Sequence, residues 1–224
     1  MFYNLPGAAP AYNPARELEE TAMKLYCTLT SPYARVARMV VIEKGLSNRV
    51  EILPAQTRTP GSPFYQVNPS GRVPFLVRDD GQTMEDSQLI CTYLDGLDGR
   101  PRLVLPFAQQ DWMYGRFETY ARSFVDGIAV FVREMRRPET ERSPTILRHE
   151  TERAVRLADY WERQIGHPLM QGPINMAQML LIAGLDFGAA GQIAELERGR
   201  PKLVIWARRL REMPCVKATA LPPG

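Results

Sequence analysis

The sequence predicts an α/β domain followed by an all-α domain. Strand-like and helix-like segments alternate over the first hundred residues, whereas every periodic segment after residue 106 has helical spacing. Such a shift marks a domain boundary, which we place near residues 99–106. The length of 224 residues suits one to two domains at about 150 residues each. We therefore assign residues 23–98 to the first domain and 106–224 to the second.

The first domain begins with a predicted strand at residues 24–27 and a predicted helix at residues 32–44. Ser31 suits the N-cap position of this helix, and Gly45 suits the position just past its end. Residues 50–53 form the next apolar strand candidate. A strand, a helix and a strand within about thirty residues indicate two parallel neighbouring strands with a right-handed crossover.

A hairpin and a further helix complete the predicted α/β domain. Residues 74–78 and 82–84 read as strands on either side of the Asp-Asp-Gly turn at residues 79–81. A helix starts at Asp86 and Ser87, and its expected inward face consists of Leu89, Ile90, Tyr93 and Leu94. The second domain has helix candidates at residues 107–136, 141–164, 175–190 and 201–213.

The composition indicates an ordinary soluble globular protein, with 45% apolar and 24% charged residues. The net charge of +3 is small, and the arginine clusters at residues 133–137 and 208–211 read as solvated helix faces. We therefore expect no nucleic acid partner. The most apolar run, residues 179–183, is far shorter than the roughly 20 residues of a membrane span, so we expect no membrane partner either.

The cysteines and the N-terminus give weaker indications. Cys27, Cys91 and Cys215 lie far apart, which favours neither a zinc site nor a disulfide framework and suits a reducing cytoplasm. Residues 1–22 lack a secretory signal and read as a poorly ordered extension. This extension is either native or a consequence of start-site choice, because Met23 is itself a natural start.

Four short motifs follow one another along the chain: Ser31-Pro32-Tyr33, the loop N-P-S-G-R-V-P at residues 68–74, Asp86-Ser87, and Asn175 with Gln178. Together they resemble the glutathione transferases, and in particular the bacterial glutathione-transferase-like proteins whose first helix begins T-S-P-[FY]. The resemblance covers nearly all of the chain except residues 1–22. It implies a thioredoxin-like glutathione-binding domain followed by the helical domain of this family.

The resemblance assigns glutathione to the first domain. It implies a cis bond between Val73 and Pro74, and it implies that the backbone of Val73 pairs with the cysteinyl part of glutathione, beside Arg72. Asp86 suits the ammonium of the γ-glutamyl end, and Ser87 with its helix N-terminus suits the carboxylate. In the capping box of the second domain, the Gln178 side chain is expected to reach back to the cap residue.

Ser31 is the catalytic candidate, because it aligns with the cysteine of the cysteine-type members of the family. Its hydroxyl either caps the helix only or also donates a hydrogen bond to the glutathione thiolate. Thr28 and Thr30 share its loop, and Tyr26 or Cys27 lies near the position of the tyrosine in tyrosine-type members. A serine forms no mixed disulfide, so thiol exchange at this position is disfavoured.

The second substrate is expected between the domains, against the first long helix. Candidate residues for this cleft are Tyr33, Trp112, Arg116 and Tyr120, together with Tyr114 and Phe117, although aromatic side chains at helical spacing often belong to a core. His149 and His167 have no serine or aspartate at a hydrolase spacing. The sequence shows no metal, nucleotide or flavin motif, so glutathione is the expected co-substrate.

The resemblance implies a cytoplasmic, homodimeric glutathione transferase. Such an enzyme adds the glutathione thiolate to a small hydrophobic electrophile, or reduces a peroxide with it. One alternative is a non-catalytic glutathione-binding or protein-interaction module on the same fold, since one fold hosts many functions. Another is a glutathione-dependent thiol oxidoreductase, which the serine at position 31 disfavours.

Overall fold

The computed structural model describes residues 22–100, 102–103, 112–193 and 196–222. The predicted extension at residues 1–22 lies outside this part of the chain except for its last residue. Half of the predicted domain boundary at residues 99–106 also falls outside it. The helix predicted from residue 107 is described from Trp112 onwards.

Four strands form one sheet in the order β2-β1-β3-β4. β1 (Met23–Cys27) pairs in parallel with β2 (Val50–Pro54) and antiparallel with β3 (Phe75–Val77), which pairs antiparallel with β4 (Thr83–Glu85). The predicted parallel pair and hairpin are confirmed. The first hairpin strand is shorter than predicted and the second is shifted by one residue, because the turn takes up the residues around Gly81, whose φ of +79° belongs to the left-handed region.

Two helices cover one face of the sheet. α1 (Pro32–Glu43) and α3 (Ser87–Asp95) pack against each other, and Leu25 of β1 lies in the same apolar core as Val40 and Ile90. Gly45 follows α1 with a φ of +65°, as the sequence predicts. The prediction that Leu89 faces inward is wrong: its side chain is 52% exposed, because the inward stripe of this short helix is narrower than the sequence pattern indicates.

The opposite face of the sheet carries a smaller apolar cluster. The short helix α2 (Phe64–Val67), which the sequence analysis does not predict, brings Phe64 against Phe75 with ring centroids 6.4 Å apart. Tyr26 packs against the same cluster, whereas its neighbours in β1 face the main core. This alternation is the two-residue period of a strand that is covered on both faces.

All secondary-structure elements described in the second part of the chain are helices. The long helices are α4 (Trp112–Met135), α5 (Pro144–Gln164), α7 (Met176–Ala190) and α8 (Pro201–Arg211). Three short elements also occur, namely the 3-10 turn Glu139–Glu141 and the helices α6 (Pro168–Gln171) and α9 (Pro214–Ala218). The predicted fold class, an α/β sheet unit followed by helices, is confirmed.

α7 is the central helix of this helical part, and most of its residues are buried. α4 approaches it closely at Gly184, where a Cβ atom would lie 2.8 Å from Cδ1 of Phe124. Asn175 caps α7 by accepting a hydrogen bond from the Gln178 N–H at 3.1 Å. The Gln178 side chain does not reach back to the cap as expected. It donates to the carbonyls of Leu169 and Pro173, because an amide, unlike a carboxylate, is a donor.

An ion-pair network joins α1 to the helical part. Arg35 of α1 is 1% exposed, and its guanidinium lies 2.8 Å from Oδ2 of Asp186 on α7. Asp186 also accepts from Arg211 of α8 at 2.8 Å, and Arg211 in turn contacts Glu197 at 2.7 Å. Arg35 donates further to the Val216 carbonyl at 3.3 Å. The network fixes the position of α1 relative to α7 and α8.

Replacing Asp186 with asparagine should lower the free energy of unfolding by about 3 kcal/mol, because Arg35 would stay buried without a counter-charge. Urea unfolding followed by circular dichroism at one protein concentration measures this change. Glu212→Gln is the matched control, since its pair with Lys217 is exposed on both sides and contributes at most about 0.5 kcal/mol. A loss in Asp186→Asn as small as that of the control would contradict this role.

Candidate functional site

A cleft of about 640 Å³ lies between the sheet-and-helix part and the helical part. Its walls come from the loops after β1 and β2, the start of α1, α2, the loops before β3 and α3, and α4 from its middle to its C-terminal end, together with Phe187 of α7. The structure brings together here seven of the residues singled out from the sequence, namely Ser31, Tyr33, Arg72, Val73, Pro74, Asp86 and Ser87.

Ser31 lies at the head of α1 and faces this cleft. Its Oγ accepts a hydrogen bond from the Ala34 N–H at 3.2 Å, so the serine caps the helix. Capping uses a lone pair of the hydroxyl and leaves its proton available for a second partner. The two roles weighed for Ser31 are therefore compatible, and both Thr28 and Thr30 line the same cleft.

Cys27 does not share this environment. Its side chain is 3% exposed and does not line the cleft. Burial raises the pKa of the Cys27 thiol to about 12, although the positive charge of Arg38 opposes this change. A thiol that stays protonated at neutral pH is a poor nucleophile. This environment disfavours the thiol oxidoreductase alternative.

The loop before β3 presents a free section of backbone to the cleft. The peptide bond between Val73 and Pro74 is cis. The loop is held by its own side chains, since Asn68 donates to the Arg72 carbonyl at 3.0 Å and accepts from the Ser70 N–H at 3.1 Å. Among the described residues, no hydrogen bond uses the N–H or C=O of Val73. These two groups suit an extended peptide lying alongside.

The start of α3 forms the next part of the wall. Asp86 caps α3, and its Oδ1 accepts from the N–H groups of Gln88 and Leu89 at 2.8 and 3.3 Å. The φ of Asp86 is +80°, a conformation that costs a non-glycine residue roughly 1–3 kcal/mol. Ser87 is buried, and the structure gives its hydroxyl no partner among the described residues. A carboxylate and an ammonium group find complementary partners at this helix start.

The wall contributed by α4 differs from the predicted one. Trp112 is 73% exposed, Tyr120 stacks on Tyr160 with ring centroids 4.5 Å apart, and Arg116 lies over the same two rings. The expectation that Trp112, Arg116 and Tyr120 line the cleft is thus corrected. Their four-residue spacing places them on one stripe that faces α5 and solvent, in the N-terminal half of the helix.

Tyr114 and Phe117, the other two aromatic candidates on α4, belong to the core. Tyr114 is buried and donates to the Leu103 carbonyl at 2.8 Å. Phe117 is fully buried and packs edge-on against Trp161. This outcome agrees with the usual fate of aromatic residues at helical spacing.

The residues that do line the cleft from α4, and from the turn directly after it, are mostly charged, namely Arg122, Asp126, Arg133 and Arg136, together with Ala129 and Val132. The sequence analysis missed these charged residues as site residues and assigned Arg133 and Arg136 to a solvated face. The side chains of these two arginines are exposed, but they face the cleft. The signal that could have found the set is its recurrence at three- and four-residue steps along one helix face.

Tyr33 joins the two walls of the cleft. Its hydroxyl donates to Oδ1 of Asp126 at 2.5 Å. Burial raises the pKa of Tyr33 well above its usual range, and the hydrogen bond to Asp126 and the charge of that carboxylate raise it further. Tyr33 therefore stays protonated at neutral pH, and its proton is already engaged with Asp126.

Other candidate centres are absent from the described residues. His149 is exposed, and His167 accepts from the Leu169 N–H at 3.2 Å, which caps α6. The described part of the chain has no cluster of three or more His, Cys, Asp or Glu side chains that would hold a metal ion. None of the described helices combines the length and apolar character that a membrane crossing requires.

The fold and the cleft together define a two-domain protein with a thioredoxin-like first part and a helical second part. Residues 30–97 match the family model of the glutathione S-transferase N-terminal domain. This match confirms the resemblance to the glutathione transferases that the sequence motifs predict.

Known proteins resemble the chain over most of its length. It is 26% identical to the glutathione transferase-like protein YibF of Escherichia coli over 166 residues. The aligned segment covers 74% of this chain and 81% of that protein. It is 25% identical over 219 residues to glutathione S-transferase 2 of Saccharomyces cerevisiae, covering 92% of each chain. Both relatives are thus similar across both structural parts.

Solved structures have the same fold. A glutathione transferase family member from Pseudomonas fluorescens, crystallised with bound glutathione, superposes with a TM-score of 0.82 at 23% identity, over 90% of this chain and all of that one. A glutathione S-transferase from Methylobacillus flagellatus, also with glutathione bound, gives a TM-score of 0.80 at 24% identity, with the same shares of the two chains. At these identities the similarity establishes the fold.

Proposed function

We propose that this protein is a serine-type glutathione transferase. It binds glutathione in the cleft, stabilises the thiolate with Ser31 and adds the sulfur to a small hydrophobic electrophile, or reduces a peroxide with it. The observation that carries this proposal is the position of the Ser31 hydroxyl. It lies at the head of α1 and lines the same cleft as the free backbone of Val73 and the start of α3.

The binding mode follows from the groups on the cleft walls. The N–H and C=O of Val73, which no hydrogen bond among the described residues uses, pair with the cysteinyl part of glutathione. Ser87 and the first amides of α3 hold the γ-glutamyl carboxylate, and the unused Oδ2 of Asp86 faces the ammonium. Arg72, on the loop that also holds Val73, takes the glycine carboxylate.

The chemistry requires a lower thiol pKa. A free thiol has a pKa of about 8.5, and lowering this pKa by one corresponds to about 1.4 kcal/mol in favour of the thiolate. A charge-assisted hydrogen bond from Ser31 and the N-terminus of α1 are together strong enough to bring the thiol pKa to about 7. Tyr33 is not the donor in this proposal, because its proton is already bonded to Asp126.

The structural neighbours that were crystallised with glutathione support the proposal at the level of the ligand. The relative from yeast is named a glutathione S-transferase, which supports it at the level of the activity. The proposed location is the cytoplasm, where glutathione is kept reduced and free thiols such as the three buried cysteines persist.

Ser87→Ala should weaken glutathione binding about tenfold or more, because a hydrogen bond to a charged group contributes roughly 1.5–3 kcal/mol. Calorimetric titration of glutathione into the wild type and the variant measures the change. Ser143→Ala is the control: it makes the same truncation at the cap of α5, outside the cleft, and should bind as the wild type does. If Ser87→Ala and the wild type bind glutathione with equal affinity, Ser87 does not belong to the glutathione site.

Ser31→Ala should raise the pKa of the bound thiol by about one and lower kcat about tenfold, with little effect on glutathione affinity. Ultraviolet absorption of the bound thiolate across a pH titration measures the first effect, and a conjugation assay measures the second. Ser143→Ala again controls for the loss of a helix cap, which costs about 1 kcal/mol of stability by itself.

Two outcomes would argue against this role of Ser31. Unchanged turnover in Ser31→Ala would transfer the role to another donor, such as Thr28 or Thr30. Glutathione that binds to the wild type without thiolate absorption at neutral pH would identify the protein as a non-catalytic glutathione-binding or interaction module.

We further propose a homodimer. Leu89 on α3 and Trp112 at the start of α4 are 52% and 73% exposed, and a partner subunit would cover large apolar side chains of this kind. Sedimentation velocity at micromolar concentration should give twice the chain mass of 25.4 kDa. A monomer under these conditions would refute the dimer.

A further inference from the structure

The cleft extends along α4 between two electrostatically different ends. At one end lie Arg122, which pairs with Glu118 at 3.2 Å, and Asp86. These two residues are close to each other, because the charges of both affect the pKa of the buried Cys91 thiol. At the other end Arg133 and Arg136 lie close enough to Arg58 for their charges to affect it. Arg122 and Arg133 are eleven residues apart on one helix, which corresponds to about 16 Å along its axis.

Three arginines converge at this second end. Arg133 lies in the last turn of α4, Arg136 directly follows this helix, and Arg58 comes from the loop after β2 on the opposite wall. Within the described residues, none of these three guanidinium groups has an acidic partner or a hydrogen bond. Arg137 on the same helix end provides the contrast, since Glu134 and Glu141 both pair with it.

The fold thus holds three positive charges together without compensation. Partial burial lowers the pKa of Arg58, and the charges of Arg133 and then Arg136 lower it further. The C-terminal dipole of α4 stabilises Arg133 and Arg136, but it does not explain why a third cation faces them from the other wall. An anion between the two walls would remove this repulsion and form charge-assisted hydrogen bonds.

The charges of glutathione itself are accommodated elsewhere in the proposed binding mode. Its γ-glutamyl group lies at Asp86 and Ser87, and its glycine carboxylate lies at Arg72. The cluster of Arg58, Arg133 and Arg136 therefore remains for the second substrate. Ala129, Val132 and Phe187 line the same cleft and provide apolar contacts for the rest of that molecule.

We propose that the electrophile carries a carboxylate or a sulfonate, and that Arg133 and Arg136, assisted by Arg58, select for it. This inference rests on the proposed transferase function and specifies its substrate class: a small apolar body with one anionic group. Glutathione and the anionic group then occupy opposite ends of the cleft, and the reactive carbon lies between them, near Ser31.

The test compares two electrophiles, 4-chloro-3,5-dinitrobenzoate and its methyl ester, in which an added methyl group removes the negative charge. In both reactions the glutathione sulfur forms a bond to the ring carbon, and chloride leaves with the electron pair of the carbon–chlorine bond. The wild type should prefer the benzoate at least about tenfold in kcat/KM, after division by the uncatalysed rates. The double variant Arg133→Gln, Arg136→Gln should lose this preference, mainly through a higher KM for the benzoate.

Arg208→Gln is the matched control. It removes the same charge from an exposed position on α8, outside the cleft, and should keep the wild-type preference. An unaltered preference in the double variant would overturn the inference. An equal loss of glutathione affinity in the double variant would also overturn it, because the arginines would then belong to the glutathione site.

A binding measurement separates this inference from the proposed catalysis. The unreactive 3,5-dinitrobenzoate is titrated calorimetrically into protein saturated with S-methylglutathione. The wild type should bind this compound, and its affinity should be at least about tenfold lower in the double variant but unchanged in Arg208→Gln. This result supports the anion site even if no electrophile is turned over. Failure of turnover alone would then count against the transferase proposal. No binding to the wild type, or equal binding to the double variant, would refute the anion site.

Discussion

The cleft depends on the fixed position of α1 between the sheet and the helical part. Arg35 is almost fully buried and finds its counter-charge on Asp186 of α7. Two residues earlier in the same helix, Tyr33 donates to Asp126 of α4. Since Ser31 precedes both within about one turn, these contacts determine where its hydroxyl lies relative to the opposite wall. A movement of α1 would alter the cleft as a whole.

The parts of this structure that depend on local physics are predictable from the sequence. The βαβ unit, the hairpin and the long helices follow from hydrophobic periodicity, from the cap at Ser31 and from the glycine at position 45. The N-P-S-G-R-V-P loop and the Asp86-Ser87 pair indicate the cleft because their spacing is characteristic of one family. The short helices α2, α6 and α9 escape prediction, since a single helical turn has too few residues to display a period.

The composition of the α4 wall could not be predicted for a different reason. Which side chains of a long helix face a cleft depends on its rotation about its own axis, and this rotation is set by packing against α5 and α7. The close approach at Gly184 and the buried ring of Phe117 fix it. Trp112 and Tyr120 are aromatic residues of the kind that suggests a substrate pocket, yet they lie on the stripe of α4 that faces α5 and solvent. The residues that face the cleft are mostly charged, and charged residues on a helix usually face solvent.

Asp86 shows how the role of a side chain and the preference of its own backbone oppose each other in this fold. Its backbone adopts a conformation that glycine would adopt without cost, while its carboxylate caps α3 and faces the cleft. A redesign that maximised thermal stability from backbone geometry alone would favour glycine at this position and remove the carboxylate. The backbone cost at Asp86 is therefore offset only through its carboxylate, which caps α3 at the wall of the cleft.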